Sequence, residues 1–158
     1  MIGLAVLSLA WGTIATAQTP ADLELAKRLV GAWRLVTVSA AATGPQSPDG
    51  APIGLIIYDA SGAMSAQVVR NTNRNRRAGA IWTGPEAVAA IEDFSSYFGT
   101  YTVDAAKGTI THHKQAVLNP DRSLLVVRQY QFKSDDLLVL TPLNQPTKHL
   151  TFQRMKKP

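Results

Sequence analysis

The sequence predicts an all-β protein, an eight-stranded antiparallel up-and-down barrel with one amphipathic helix between the third and fourth strands. Three observations lead there. From Ala32 onward the chain breaks into eight short β-prone runs. The links between them are mostly short and rich in turn residues, which pairs neighbouring strands antiparallel. Eight strands with a single covering helix leave exposed edges unless the sheet closes on itself.

The runs are Ala32 to Ala40, Ile53 to Asp59, Ala63 to Arg70, Tyr97 to Val103, Thr109 to Leu118, Leu124 to Lys133, Leu137 to Pro142 and Lys148 to Met155. Between them, Asp59-Ala60-Ser61-Gly62, Asp104-Ala105-Ala106-Lys107-Gly108, Asn119-Pro120-Asp121 and Ser134-Asp135-Asp136 supply Asx acceptors or positions tolerant of positive φ. One segment departs from period two. Thr83-Gly84-Pro85-Glu86 has capping-box spacing with proline in the first turn, and Ala87, Val88, Ile91, Phe94, Ser95 and Phe98 keep helical spacing up to Gly99. Pro20 to Leu29 forms a short helical lead-in.

Composition sets the outer limits. The chain has 158 residues, no cysteine, 46% hydrophobic and 17% charged content, which suits one globular domain and excludes disordered, collagenous and disulfide-stapled classes. A chain of this size buries roughly 68% of its unfolded surface, enough for a core without metal or disulfide staples. The first charged side chain is Asp22, and the apolar stretch before it ends in Ala15-Thr16-Ala17, an A-x-A cleavage pattern. Residues 1–17 therefore read as a secretory signal peptide, 18–29 as the lead-in and 30–155 as the barrel domain. No Lys or Arg precedes the apolar stretch, a departure from the usual leader. The alternative, an N-terminal anchor helix, falls short of the roughly 20 apolar residues of a span. The expected setting is periplasmic or secreted, with no transmembrane segment in the mature form and a monomer or weak homo-oligomer. The net charge of +5 concentrates in Arg70, Arg74, Arg76 and Arg77 and in the tail. Combined with export, it does not argue for a nucleic-acid partner.

The first strand opens with Gly31-Ala32-Trp33-Arg34-Leu35-Val36, and the last contains Phe152-Gln153-Arg154. This resembles the G-x-W start of lipocalins, whose Trp closes the barrel floor beneath an Arg from the last strand. Further runs are similar to a narrower group, the bacterial lipocalin-like domain proteins. They are Gly54-Leu55-Ile56-Ile57-Tyr58, Gly62-Ala63-Met64-Ser65-Ala66-Gln67, Tyr97-Phe98-Gly99-Thr100-Tyr101-Thr102-Val103-Asp104 and Gly108-Thr109-Ile110-Thr111-His112-His113. The resemblance spans about Leu29 to Arg154. It implies a barrel that holds a small hydrophobic or amphipathic molecule, and it carries no reaction and no cofactor.

Side-chain alternation then nominates the residues facing the interior. Trp33 shares a face with Leu35, and Arg154 one with Phe152, so Trp33 and Arg154 are the expected floor pair, the guanidinium stacked on the indole. A turn over Asp104 to Gly108 pairs Val103 with Ile110 and Tyr101 with His112, placing all four on one face. Two readings stand for His112: a hydrogen-bonded interior residue partnered by Tyr101, or a ligand contact. Adjacent His112 and His113 sit on opposite faces, and with no cysteine no metal site is expected. In Leu124 to Phe132 the even positions are bulkier, which favours Arg128 and Tyr130 inward. An inward Arg128 needs an anion or many acceptors, and Arg128-Gln129-Tyr130 is similar to the R-x-Y pair with which fatty-acid-binding barrels hold a carboxylate. The opposite register would put Gln129 and Gln131 inside.

Strands two and three are less decided. Ile53, Leu55 and Ile57 are grouped with Met64, Ala66 and Val68, leaving Ile56, Tyr58, Ser65, Gln67 and Val69 on the other face, so Tyr58 and Gln67 become candidate ligand contacts. Arg74, Arg76 and Arg77, leading towards Trp82, read either as a solvated, mobile loop or as a loop gating the barrel mouth, with Trp82 and the Phe94 helix as the mouth's cover. Six of the eight aspartates fall in turns, and no nucleophile elbow, Walker loop or dinucleotide fingerprint is present. The leading expectation is an exported binding protein for a small hydrophobic or amphipathic molecule, with or without a carboxylate. The rivals are a cofactor-free isomerase or cyclase using His112, and a filled barrel serving as a structural envelope module.

Overall fold

A computed structural model describes residues 18–39, 51–72, 79–119 and 123–156. The lead-in is α1 (Pro20–Leu29), started by a reciprocal capping box between Thr19 and Asp22 with proline in the first turn. Eight strands follow: β1 (Gly31–Ser39), β2 (Ile53–Tyr58), β3 (Ala63–Val69), β4 (Phe94–Asp104), β5 (Thr109–Val117), β6 (Leu125–Ser134), β7 (Leu137–Pro142) and β8 (His149–Arg154). Each pairs antiparallel with its neighbours, and β8 pairs back onto β1, closing the barrel. The single helix between β3 and β4 is α2 (Gly84–Asp93), capped by Thr83 and Glu86 in the same reciprocal way.

The second helix ends earlier than its spacing suggests. Phe94, Ser95 and Phe98 continue the helical pattern, yet Phe94 is the first residue of β4 and pairs with Val69. The sheet captures the chain here: the Arg70 N–H donates to the Asp93 carbonyl at 2.8 Å, so ladder pairing outweighs helical periodicity. Phe94 is thus a strand residue and not part of a helical cover.

The faces of β2 and β3 also differ from the alternation reading. Ile56 pairs with Ala66 and Tyr58 with Met64, and all four are buried. Leu55 and Gln67 pair on the outer face, where the Gln67 amide donates to the Ser65 hydroxyl. Gln67 therefore lies outside the barrel. Both faces of β2 are apolar, so hydrophobicity alone left a one-residue slip open.

The core fills one end of the barrel. Leu25 and Leu29 of α1 lie buried with Trp33, Phe152, Leu138, Leu140, Ile110 and Tyr58. Trp33 is fully enclosed, its Nε1–H donating to the Leu29 carbonyl at 2.7 Å. The Arg154 guanidinium stacks 4.1 Å from the Trp33 ring and donates to three main-chain carbonyls, those of Val30, Arg28 and Asp135. Its Nη1 lies 3.0 Å from where a Cβ on Gly31 would stand, and Gly31 has φ +132°. Both facts explain a glycine two positions before the Trp. Asp22, its capping oxygen engaged with Thr19, uses the other oxygen to accept from the Ala105 N–H at 2.8 Å, tying α1 to the β4–β5 turn.

Candidate functional site

Up-and-down pairing sends the C-terminal ends of β1, β3, β5 and β7 to the end opposite Trp33. There the interior is open, a cavity of about 770 Å³, within the size range of small-molecule sites. Val38, Val68, Val126 and Leu150 supply apolar wall. Val38 reaches it because a bulge between Leu35 and Thr37 resets the alternation of β1, leaving Thr37 exposed and turning Val38 inward.

Four cationic side chains line this cavity, Arg70, Lys114, Arg128 and Lys148, and among the described residues no Asp or Glu does. Arg128 projects inward because it pairs between Ile110 and Pro142, on the bulkier face of β6. Its Nε is buried and among the described residues has no hydrogen-bond partner, a costly state for a cationic donor unless something else supplies an acceptor. Lys114 is buried and lies over the Tyr97 ring at 6.0 Å. Burial, with Arg70 and Arg128 nearby, pushes the Lys148 ammonium below its usual range.

Where the cavity meets the packed end, three side chains form a polar chain. The Tyr58 hydroxyl lies 2.8 Å from Nε2 of His112, and the Tyr97 hydroxyl lies 2.8 Å from Nδ1 of the same ring. Tyr58 and His112 are essentially inaccessible to solvent, whereas Tyr97 lines the cavity. Burial, reinforced by the charges of Arg128 and His113, holds His112 well below the usual imidazole range, so the ring is neutral. Burial drives the Tyr58 hydroxyl far above its usual range.

The sequence-nominated residues divide accordingly. His112 and Tyr101 face one another across β4 and β5, but the hydrogen-bond partners of His112 are Tyr58 and Tyr97, while the Tyr101 hydroxyl donates to the Asp59 carbonyl. His112 is enclosed with both nitrogens engaged, so a molecule in the cavity meets Tyr97 before His112. Tyr130 faces inward but packs edge-on against Phe132 in the filled end, away from the residues that line the cavity. Of the R-x-Y pair, only Arg128 reaches the cavity. Trp82 precedes α2, half exposed and outside the cavity lining. Arg74, Arg76, Arg77 and the expected leader, residues 1–17, lie outside the described residues.

Alternation missed Tyr97 and Lys114, although each was within reach. Tyr97 shares parity with Tyr101, and Lys114 with His112. A bulge between Phe98 and Gly99 then redirects the ends of β4 and β5. Gly99 permits that bulge because a side chain there would overlap the His113 carbonyl.

Comparison with known proteins agrees with this architecture at the level of family. No curated protein matches the chain. Among solved structures, a redesigned β barrel is similar over 83% of this chain and 95% of its own, at 16% identity and a TM-score of 0.42. The model of the lipocalin-like domain matches residues 30–155, from the residue before β1 to the one after β8, and the chain belongs to that family.

Proposed function

We propose that the protein is an exported carrier that binds a small amphipathic anion, a carboxylate-bearing lipid-like molecule, in the open half of its barrel. The observation that carries this reading is the charge asymmetry of the cavity: Arg70, Arg128 and Lys148 line it, and among the described residues no carboxylate does. Burial and then the charges of Arg70 and Arg128 disfavour the Lys148 ammonium, and an anion relieves that repulsion. The apolar patches of Val38, Val68, Val126 and Leu150 accommodate a hydrocarbon tail. Export is supported by the apolar stretch ending at Ala17, which the described residues do not include.

Titration calorimetry with dodecanoate and with dodecyltrimethylammonium tests the reading, since the two share a tail and differ in head charge. Dodecanoate is expected to bind, more weakly as salt rises, and the ammonium is expected not to bind. Equal affinities, or no dodecanoate binding at low salt together with an empty barrel by native mass spectrometry of protein from its own host, would overturn it.

A further inference from the structure

We infer that the Tyr58–His112–Tyr97 chain carries its protons in one direction, so that Tyr97 stands at the cavity wall as a hydrogen-bond donor and the ligand atom seated against it is an acceptor oxygen. The ligand class rests on the proposed function. The proton order rests on hydrogen-bond counting alone.

A neutral imidazole has one N–H and one lone pair in its ring plane. The choice of which nitrogen holds the proton is made by Tyr58. Its hydroxyl is buried, and among the described residues it has no partner besides Nε2 of His112. Were Nε2 protonated, the Tyr58 oxygen would accept and its own O–H would face the core with no acceptor, the penalised state of a buried donor. Tyr58 therefore donates to Nε2, and the ring proton sits on Nδ1. That N–H donates to the Tyr97 oxygen at 2.8 Å. The Tyr97 O–H is then left to donate, and Tyr97 is the member of the chain that lines the cavity.

Two further observations agree. Burial keeps His112 neutral, and a protonated ring would donate from both nitrogens and leave Tyr58 without an acceptor. On the same cavity, Arg128 holds a buried Nε–H without a partner among the described residues. Tyr97 and Arg128 thus each present a donor, a pairing that suits a carboxylate. Tyr58 and His112 are positioning residues, acting on the ligand only through Tyr97.

Nitrogen-15 NMR of the His112 ring in ligand-free protein is the first test, and it does not depend on the ligand. The expected spectrum has Nδ1 protonated and Nε2 bare; a ring protonated at Nε2 overturns the inference whatever the cavity binds. The second test is dodecanoate affinity. Tyr97→Phe should weaken it about tenfold, the loss of one hydrogen bond to a charged group. Tyr58→Phe lies outside the cavity lining but removes the group that fixes the tautomer. It should restore a mixture of ring forms in the spectrum, weaken binding about threefold, and add nothing to Tyr97→Phe in the double variant. Dodecanoate binding unchanged in Tyr97→Phe overturns the donor role while leaving the proposed carrier function intact. Absence of dodecanoate binding in the unmodified protein overturns the carrier function, and the ring spectrum still decides the proton order.

Discussion

Nε2 of His112 and the hydroxyl of Tyr58 lie 2.8 Å apart at the boundary between the packed and open halves of the barrel, both shielded from water. The folded protein therefore holds this histidine neutral, whereas the unfolded chain protonates it near the ordinary value of 6.5. Below that pH the unfolded state binds a proton that the folded state refuses. Stability should fall by about 1.4 kcal/mol per pH unit as pH drops from 6.5 towards the lowered folded value. The hydrogen-bonded carboxylates add their losses only at lower pH. Asp22, Asp59 and Asp104 are held below 3.8, chiefly by the Ala105 N–H, the Ser61 hydroxyl and the Lys107 ammonium respectively. Urea unfolding between pH 7 and 5 reads the His112 effect, and a flat profile across that window would contradict it.

Arg154 acts at the other end. Its guanidinium covers Trp33 and satisfies three main-chain carbonyls, so Arg154→Ala should cost about 2–4 kcal/mol in urea unfolding. Arg154→Lys should recover little, because an ammonium cannot both stack and reach three acceptors. Dodecanoate affinity measured on the same variants should stay within about twofold of the unmodified protein, since the cavity lies at the far end. A tenfold loss of affinity would mean that the two ends are coupled.

Arg128 should behave in the opposite manner. Replacing it by Met removes a buried donor that among the described residues lacks a partner and keeps an unbranched stem as far as the position of Nε. The variant should lose at least about tenfold in dodecanoate affinity and melt a few degrees higher, because about 1 kcal/mol shifts the midpoint of a domain this size by roughly 2–8 °C. Calorimetric titration beside a thermal melt checks both. A melting point that falls with affinity would show that Arg128 supports the fold.

Gly99→Ala tests the bulge that shapes the cavity wall. A methyl group there overlaps the His113 carbonyl, a main-chain atom that cannot swing aside, so a loss of about 3 kcal/mol or a failure to fold is expected. Gly62→Ala is the control. Gly62 has φ +89° with open space around it, so only backbone strain of about 1–2 kcal/mol applies. Equal thermal shifts in the two variants would deny Gly99 its special place.

Closure, strand number and the floor pair were legible in the sequence because each depends on local alternation or on turn chemistry between adjacent runs. Trp33 and Leu35 share a face whatever the rest of the chain does. The faces of β2 were not legible, since Ile53, Leu55 and Ile57 are as apolar as Ile56 and Tyr58, and only pairing with β3 decides between them. The site was half legible. Arg128 followed from the bulk of its neighbours, whereas the partners of His112 come from β2 and from the far end of β4, a relation that no spacing within one strand encodes. Phe94 shows the converse: a sound helical pattern yields where the sheet offers its main chain a partner.

The pairing of Trp33 with Arg154 joins the first strand to the last. A ribosome delivering this chain from its N-terminus presents β1 long before β8, so the ring cannot shut until β8 has emerged. Contacts this distant along the chain make folding slow, with strand edges open in the interval. Under the proposed export such a delay would be useful, because a chain that has not closed can still be threaded. Loss of the final strand would then leave an open sheet without its tryptophan cover, a species prone to pair with its own kind.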